Sequence, residues 1–207
     1  MYFERRCKIT YVASGATIYS EDGRLCDTEN FPPLSDNGIE EVEKTCEILK
    51  KRRIRNDKII SSAGIRAVQS AKIVSKLFKQ EFVIEPDLSP RKCGSFNGKT
   101  LSQIEISNSE DFSKLMNNPE ISVPDDAESI CAYIERISNV IDKLVEENIG
   151  MRLIVVTYPE VIRVAVAKAL NVPPKEVKNI YIKSGSLTQI SYYDAFESLI
   201  YCGYKDI

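Results

Sequence analysis

The 207-residue chain contains no histidine. Histidine is the commonest general base in enzymes and the only side chain that titrates near neutral pH without perturbation. Its absence excludes Ser-His and Cys-His nucleophile pairs, histidine-ligated metals and any phosphohistidine intermediate. Whatever this protein does, it does without an imidazole.

Clustered metal ligands are also lacking. The six cysteines are scattered and include no C-x-x-C pair, so they are expected to be buried or partly buried thiols. We therefore expect neither a metal nor a cofactor. The cysteines are Cys7, Cys26, Cys46, Cys93, Cys131 and Cys202.

An excess of charge and long apolar runs are missing as well. The 28 basic and 30 acidic residues give a net charge of −2, which offers no general attraction to nucleic acid or a membrane surface. No apolar run approaches the about 18 residues that a membrane span needs. The N-terminus lacks the apolar core of a signal peptide. We expect a cytoplasmic protein without nucleic-acid or membrane partners, and a homodimer stays open.

What is present is an alternation of strand and helix patterns, which favours helices on both faces of a sheet. Apolar residues at helical spacing place Ile39, Val42, Cys46 and Leu49 on one buried helix face. The segment 87–126 is polar and poorly periodic. Strands are predicted over 8–12, 57–62, 81–86 and 152–157, helices over 35–53, 65–78, 130–144 and 159–170, and a hairpin or edge pair over 187–204.

These elements predict one domain over residues 1–207 with a three-layer α/β sandwich and a mostly parallel central sheet. The strands Lys8–Val12 and Arg152–Thr157 are expected in the middle of the sheet, because their apolar runs need cover on both faces. Residues 87–126 are expected to form an excursion over the pocket at the carboxyl edge of the sheet.

The first strand ends in the small residues Ala13, Ser14 and Gly15. A loop of this kind, near the start of an α/β chain, is where such proteins usually keep their chemistry. Here the first two of these residues, Ala13 and Ser14, carry only a methyl group and a hydroxyl.

Several short strings resemble the histidine phosphatase superfamily, the phosphoglycerate-mutase-like phosphatases and mutases. The resemblance covers nearly the whole chain and implies that family's fold. Seven strings follow in the family's order, and the most specific are Ala13 to Thr17 with Gly23 and Arg24, Ser61 to Ala71, Gly94 to Thr100, and Val155 to Arg163.

The same alignment shows ordered departures at the family's catalytic positions. The nucleophilic histidine falls on Ser14 and a phosphate-binding arginine on Ala13. The acidic proton donor falls on Pro90, and the second histidine falls on Tyr158. Of these five positions only Arg66 keeps its family residue. The resemblance thus implies a pseudoenzyme, with Ser14, Gly15, Arg66 and Tyr158 as the candidate ligand-binding residues.

Three functions stay open. The protein binds a phosphorylated small molecule or a protein partner, or it hydrolyses phosphoesters through Ser14 or a bound metal, or it is a scaffold whose pocket Tyr158 plugs. Weak anion binding is expected at Arg66 with the amides of Ser14 and Gly15, unless Arg66 pairs with a carboxylate.

Four other basic residues have predicted roles. Arg24 and Arg163 are expected to hold the fold. Arg91 and Lys92 are the candidates to restore lost positive charge in the pocket, although a polar excursion more often leaves such residues solvated.

Overall fold

The computed structural model describes residues 4–27 and 32–205. Among these residues, no helix has the length and apolar content to cross a membrane. The elements are β1 (Arg5–Ala13), α1 (Ile18–Glu21), α2 (Asp36–Lys51), β2 (Lys58–Ser61), α3 (Ile65–Phe78), β3 (Phe82–Ile84), α4 (Leu101–Ser107), α5 (Ser109–Asn117), α6 (Ile130–Glu147), β4 (Arg152–Thr157), α7 (Pro159–Ala169), β5 (Leu187–Tyr193) and β6 (Glu197–Tyr204), with short 3₁₀ helices at Gly94–Phe96 and Pro174–Asn179.

The strands form one six-stranded sheet in the order β3-β2-β4-β1-β5-β6. The first four strands of this order are parallel, and β5 and β6 add an antiparallel hairpin at one edge. β1 and β4 are neighbours in the middle, with Val12 opposite Val156. The predicted α/β fold and the central position of these two strands are confirmed.

Side chains of the central strands alternate between two buried faces, as β geometry requires. On β4, Leu153 and Val155 pack with α6 and α7, whereas Ile154 and Val156 pack with α2 and α3. Helices therefore cover both faces, and the sheet is the middle of three layers.

The buried face of α2 differs by one position from the prediction. Val42, Cys46 and Leu49 are buried, but Ile39 is 39% exposed. The face begins at Gly38, which packs against the backbone of Ala16, so Ile39 lies at its rim. Of the cysteines, Cys202 is exposed rather than buried, because it lies on the edge strand β6.

The segment 87–126 is more regular than the sequence suggested. It contains a 3₁₀ helix, α4 and α5, which enclose a small core of Phe96, Ile104, Leu115 and Val123. The start of α4 has a capping box, in which the Gln103 N–H donates to Thr100 Oγ1 and the Thr100 N–H donates to Gln103 Oε1. That Thr-x-x-Gln pattern was readable in the sequence.

Asp57 joins the starts of β2 and β4. Its carboxylate accepts hydrogen bonds from the backbone N–H of Arg152 (2.8 Å) and from its guanidinium (2.8 and 3.0 Å). The hydrogen bonds from the Arg152 side chain, then that from its backbone, lower the pKa of Asp57 from 3.8 to about 2. A carboxyl group with a lowered pKa in the folded state stabilises the fold above its unfolded pKa, and this contribution is lost as the pH falls through the folded pKa.

We therefore expect Asp57→Asn to lower the Tm slightly at neutral pH. The effect is small because half-exposed ion pairs contribute little. The difference from the wild type should shrink between pH 4 and pH 2, measured by thermal unfolding at several pH values. A difference that persists unchanged at pH 2 would contradict this role for the charge.

Candidate functional site

The loop after β1 is bound internally through its backbone. The Ser14 N–H donates to the Thr157 carbonyl (2.7 Å), and the Gly15 N–H donates to Ser70 Oγ (3.2 Å). Ser14 is 1% exposed. Both amides already have acceptors, so the arrangement does not fit the expectation that they hold an anion.

Gly15 is required by packing. A Cβ at this position would lie 2.1 Å from the carbonyl oxygen of Gly38, and a Cβ at Gly38 would lie 2.0 Å from that of Ala16. The two glycines let the loop and the first turn of α2 touch through their backbones. This contact accounts for the glycine at position 15.

Tyr158 lies at the start of α7 and is fully buried. Burial raises the pKa of its hydroxyl to about 12, so the group is protonated at neutral pH. The centroid of its ring is 4.5 Å from the guanidinium carbon of Arg66. Tyr158 fills space beside the arginine and is closed off from solvent.

Arg66, on the first turn of α3, pairs with a carboxylate. Its Nη2 is 3.0 Å from Glu160 Oε1, and its side chain is only 7% exposed. The structure thus shows Arg66 paired with an acidic side chain. This pairing is the alternative that argues against simple anion binding at Arg66.

Pro90 is buried, and its backbone carbonyl takes part in a hydrogen bond. Its carbonyl accepts a hydrogen bond from Arg136 Nη2 (3.3 Å), and Arg136 also forms a two-armed ion pair with Glu128 (2.9 Å for each arm). The bond to Pro90 attaches the segment 87–126 to α6.

A cavity of about 470 Å³ lies between this segment, α6, α7 and the loop after α7. Of the residues predicted to bind a ligand, Arg66 lines it, whereas Ser14, Gly15 and Tyr158 do not. The lining includes one carboxylate, that of Glu160, and six basic side chains: Arg24, Arg66, Arg91, Arg163, Lys175 and Lys178.

Three of these basic side chains are fixed by backbone carbonyls. Arg24 Nη1 donates to Gly98 (3.2 Å), Arg91 Nη1 to Glu128 (2.7 Å) and Lys178 Nζ to Met116 (2.7 Å). Arg24 and Lys178 thereby link the rim of the cavity to the segment 87–126, and of these two only Arg24 was predicted to hold the fold. Their remaining N–H groups keep positive charge at the cavity.

Two thiols also line the cavity, those of Cys26 and Cys93. Burial raises the pKa of both to about 11, so neither provides a thiolate at neutral pH. Within residues 4–27 and 32–205, no group of three acidic or cysteine side chains is arranged to hold a metal ion.

Residues 12–202 match the model of the histidine phosphatase superfamily (branch 1). The chain belongs to this superfamily. Its resemblance to phosphoglycerate-mutase-like proteins is thus confirmed at the level of family and fold.

Similar proteins of this superfamily come from plants and bacteria. Phosphoglycerate mutase-like protein 4 of Arabidopsis thaliana is 25% identical over 75% of this chain and 68% of its own length. The metal-independent phosphoserine phosphatase of the same plant is 26% identical over 75% of this chain and 66% of its own length. The structure of the alpha-ribazole phosphatase from Shigella flexneri superimposes with a TM-score of 0.83 at 19% identity, covering 97% of this chain and 98% of the other.

The sequence did not identify all the residues that line the cavity. Lys175 and Lys178 were not considered, and Arg163 was assigned to the fold alone. Arg91, a candidate to restore lost charge, lines the cavity, and its neighbour Lys92 does not. No local signal identifies Lys175 and Lys178, because they reach the cavity from the loop after α7 only once the chain has folded.

Proposed function

We propose that this protein is a non-catalytic member of the superfamily that binds a phosphorylated small molecule in the basic cavity. The observation that carries the proposal is the cavity of about 470 Å³ with six basic side chains and one carboxylate in its lining. Positive charge in a concave, partly desolvated site attracts phosphate more strongly than charge on an open surface.

The proposal that the protein is not catalytic rests on the residues it has at the positions that react in the superfamily. Phosphoryl transfer needs a nucleophile in line with the leaving group and cationic donors around the transferred group. Ser14 is buried outside the cavity lining, and its Oγ has no hydrogen-bond partner among the described residues that would act as its base. With no histidine in the chain, a phosphohistidine cannot form.

Hydrolysis of phosphoesters is the second candidate. It is favoured by the phosphoserine phosphatase among the relatives and by a cavity whose charge would also suit a substrate. The scaffold hypothesis is weaker, because Tyr158 is buried outside the cavity lining and does not plug the cavity. A cytoplasmic location is likewise part of our proposal and rests on composition alone.

Binding and turnover are measured on the same preparation. We expect no hydrolysis of p-nitrophenyl phosphate at neutral pH, and the same null result for Ser14→Ala. We expect phosphate esters to raise the Tm in low salt, because a ligand of the folded state at about 100 times its Kd adds about 2.7 kcal/mol. The shift should decrease with added salt.

Two outcomes would contradict this function. Turnover that Ser14→Ala abolishes would establish a rebuilt phosphatase. Failure of every phosphate ester to raise the Tm or to give heat of binding would remove the ligand-binding function and favour the scaffold.

A further inference from the structure

The balanced net charge hides an uneven distribution of charge along the chain. Residues 50–79 hold ten of the 28 basic residues and one of the 30 acidic residues. The rest of the chain therefore has an excess of acidic residues, 29 against 18 basic ones. The total charge alone gave no reason to expect a membrane partner, but the fold decides where the separated charges lie.

Three loops meet at the amino edge of the sheet, where β2 and β4 begin. They follow α2, α3 and α6, and each leads into a parallel strand. The loops after α2 and α3 are joined by a hydrogen bond from Gln80 Nε2 to the Asp57 carbonyl (2.9 Å). Lys58 Nζ donates to Asn148 Oδ1 in the turn after α6 (3.4 Å). The three loops therefore form one surface.

Six exposed basic side chains lie at the α2 and α3 side of this surface, and we call them the basic edge. Cations in the last turn of a helix complement its dipole, which accounts for some of them, but Arg53 and Arg55 lie beyond the end of α2. The Asp57 carboxylate in the same loop is already paired with Arg152 at 2.8 Å. The basic edge consists of Lys50, Lys51, Arg53, Arg55, Lys76 and Lys79.

Arg52 and Lys58 add to the charge of the basic edge. Exposed carboxylates border it on the last turns of α2 and α6 and after α3, and they are fewer than the basic side chains. These carboxylates are Glu47, Glu81, Glu146 and Glu147. The amino edge thus keeps an excess of positive charge, which is greatest on the side of α2 and α3.

Two aliphatic side chains lie uncovered at the same edge. Ile149 is 62% exposed and Met151 is 40% exposed, in the turn between α6 and β4. Lys58 is hydrogen-bonded to Asn148, the residue before Ile149, so basic and apolar side chains are adjacent. This combination suits an anionic lipid surface, because the charges contact the headgroups and the aliphatic groups enter the acyl boundary.

We propose that the amino edge docks on an anionic lipid membrane, with the basic edge on the headgroups and Ile149 and Met151 inserted between them. A nucleic acid would supply phosphates but no apolar phase for these two side chains. Single strands also need aromatic rings on which bases stack. At this end of the molecule Arg52 lies over the rings of Tyr201 and Tyr204, with its guanidinium carbon 5.2 and 3.9 Å from their centroids.

Docking in this orientation leaves the cavity accessible. Arg66, which lines the cavity, and Lys79 lie at opposite ends of α3, roughly 20 Å apart at about 1.5 Å per residue. The cavity therefore lies at the end of the molecule away from the membrane. The acidic remainder of the chain is repelled by anionic lipid, which favours this one orientation.

Co-sedimentation of the full chain with sucrose-loaded vesicles tests the proposal. We expect binding to vesicles of equal parts phosphatidylcholine and phosphatidylserine but not to phosphatidylcholine alone, and a decrease as salt is added. Lys50→Glu combined with Arg55→Glu should weaken binding more than tenfold, because each basic side chain near an anionic surface contributes to affinity. The matched control is Lys92→Glu combined with Lys183→Glu. It makes the same change of net charge at exposed lysines near the carboxyl edge and should stay within about twofold of the wild type.

Insertion of the aliphatic side chains has a direct readout, because the chain contains no tryptophan. Ile149→Trp introduces a single indole at the amino edge. Its fluorescence emission should shift to the blue when phosphatidylserine vesicles are added, since the ring leaves water for the acyl boundary. The control is Ile106→Trp on α4, which replaces a side chain that is 86% exposed outside the amino edge and should show no shift.

Four results would overturn the inference. They are no binding to the phosphatidylserine vesicles, equal weakening by the two double variants, unchanged emission of Ile149→Trp on vesicles that bind the protein, and tighter binding to duplex DNA than to the vesicles. The last would assign the basic edge to nucleic acid. None of them bears on the phosphate-binding cavity, because its titrations use protein without vesicles.

Discussion

Replacement of Gly15 by alanine is expected to lower the free energy of unfolding by about 3 kcal/mol, the upper part of the usual range for overpacked sites. The added Cβ would lie 2.1 Å from the Gly38 carbonyl oxygen. The neighbour is backbone at the first turn of a helix, so it cannot rotate away as a flexible side chain would. The loop after β1 and α2 would have to separate.

Urea and thermal unfolding measure this loss. For a chain of this size about 3 kcal/mol corresponds to a fall in Tm of roughly 6–12 °C. The control is Gly98→Asn, because a Cβ at Gly98 meets nothing within 4 Å and asparagine tolerates its positive φ of 79°. Gly38→Ala, which tests the same contact from the other side, should be as damaging as Gly15→Ala. A Gly15→Ala variant as stable as the wild type would show that Gly15 is not there for packing.

Most of the fold could be predicted because its signals are local. The run from Arg152 to Thr157 is apolar at consecutive positions, which fits a strand covered on both faces, and β4 has those bounds. The helix α3 also has its predicted bounds, 65–78. The helices α4 and α5 were missed because they pack on a small core of their own and their apolar periodicity is short.

The site could be predicted only in part, because its contacts join residues far apart in the chain. Arg66 and Glu160 are separated by 94 positions, and no sequence pattern links them. The family resemblance directed attention to Arg66, which lines the cavity, and it also made Gly15 a candidate ligand-binding residue. Only the fold reveals that Gly15 faces Gly38 and that the cavity lies beside α6 and α7.

Glu160 limits the positive charge of the cavity, and its neutralisation should strengthen anion binding. The carboxylate lines the cavity and pairs with Arg66 at 3.0 Å. A negative charge near a bound phosphate costs about 1.4 kcal/mol in a partly desolvated site, which corresponds to roughly tenfold in affinity. We therefore expect Glu160→Gln to bind phosphate esters about ten times more tightly than the wild type in low salt, measured by isothermal titration.

The glutamine keeps an oxygen that accepts a hydrogen bond from Arg66, so the variant should fold, with a modest loss of stability. The loss should be smaller than for a fully buried ion pair, because the Glu160 side chain is 29% exposed. Glu135→Gln makes the same change of charge on the exposed side of α6, outside the cavity lining, and should leave affinity within about twofold. The gain for Glu160→Gln should diminish as salt is added. Weaker binding by Glu160→Gln would contradict this electrostatic account and would mean that the carboxylate itself holds the ligand, for example by accepting a hydrogen bond from it.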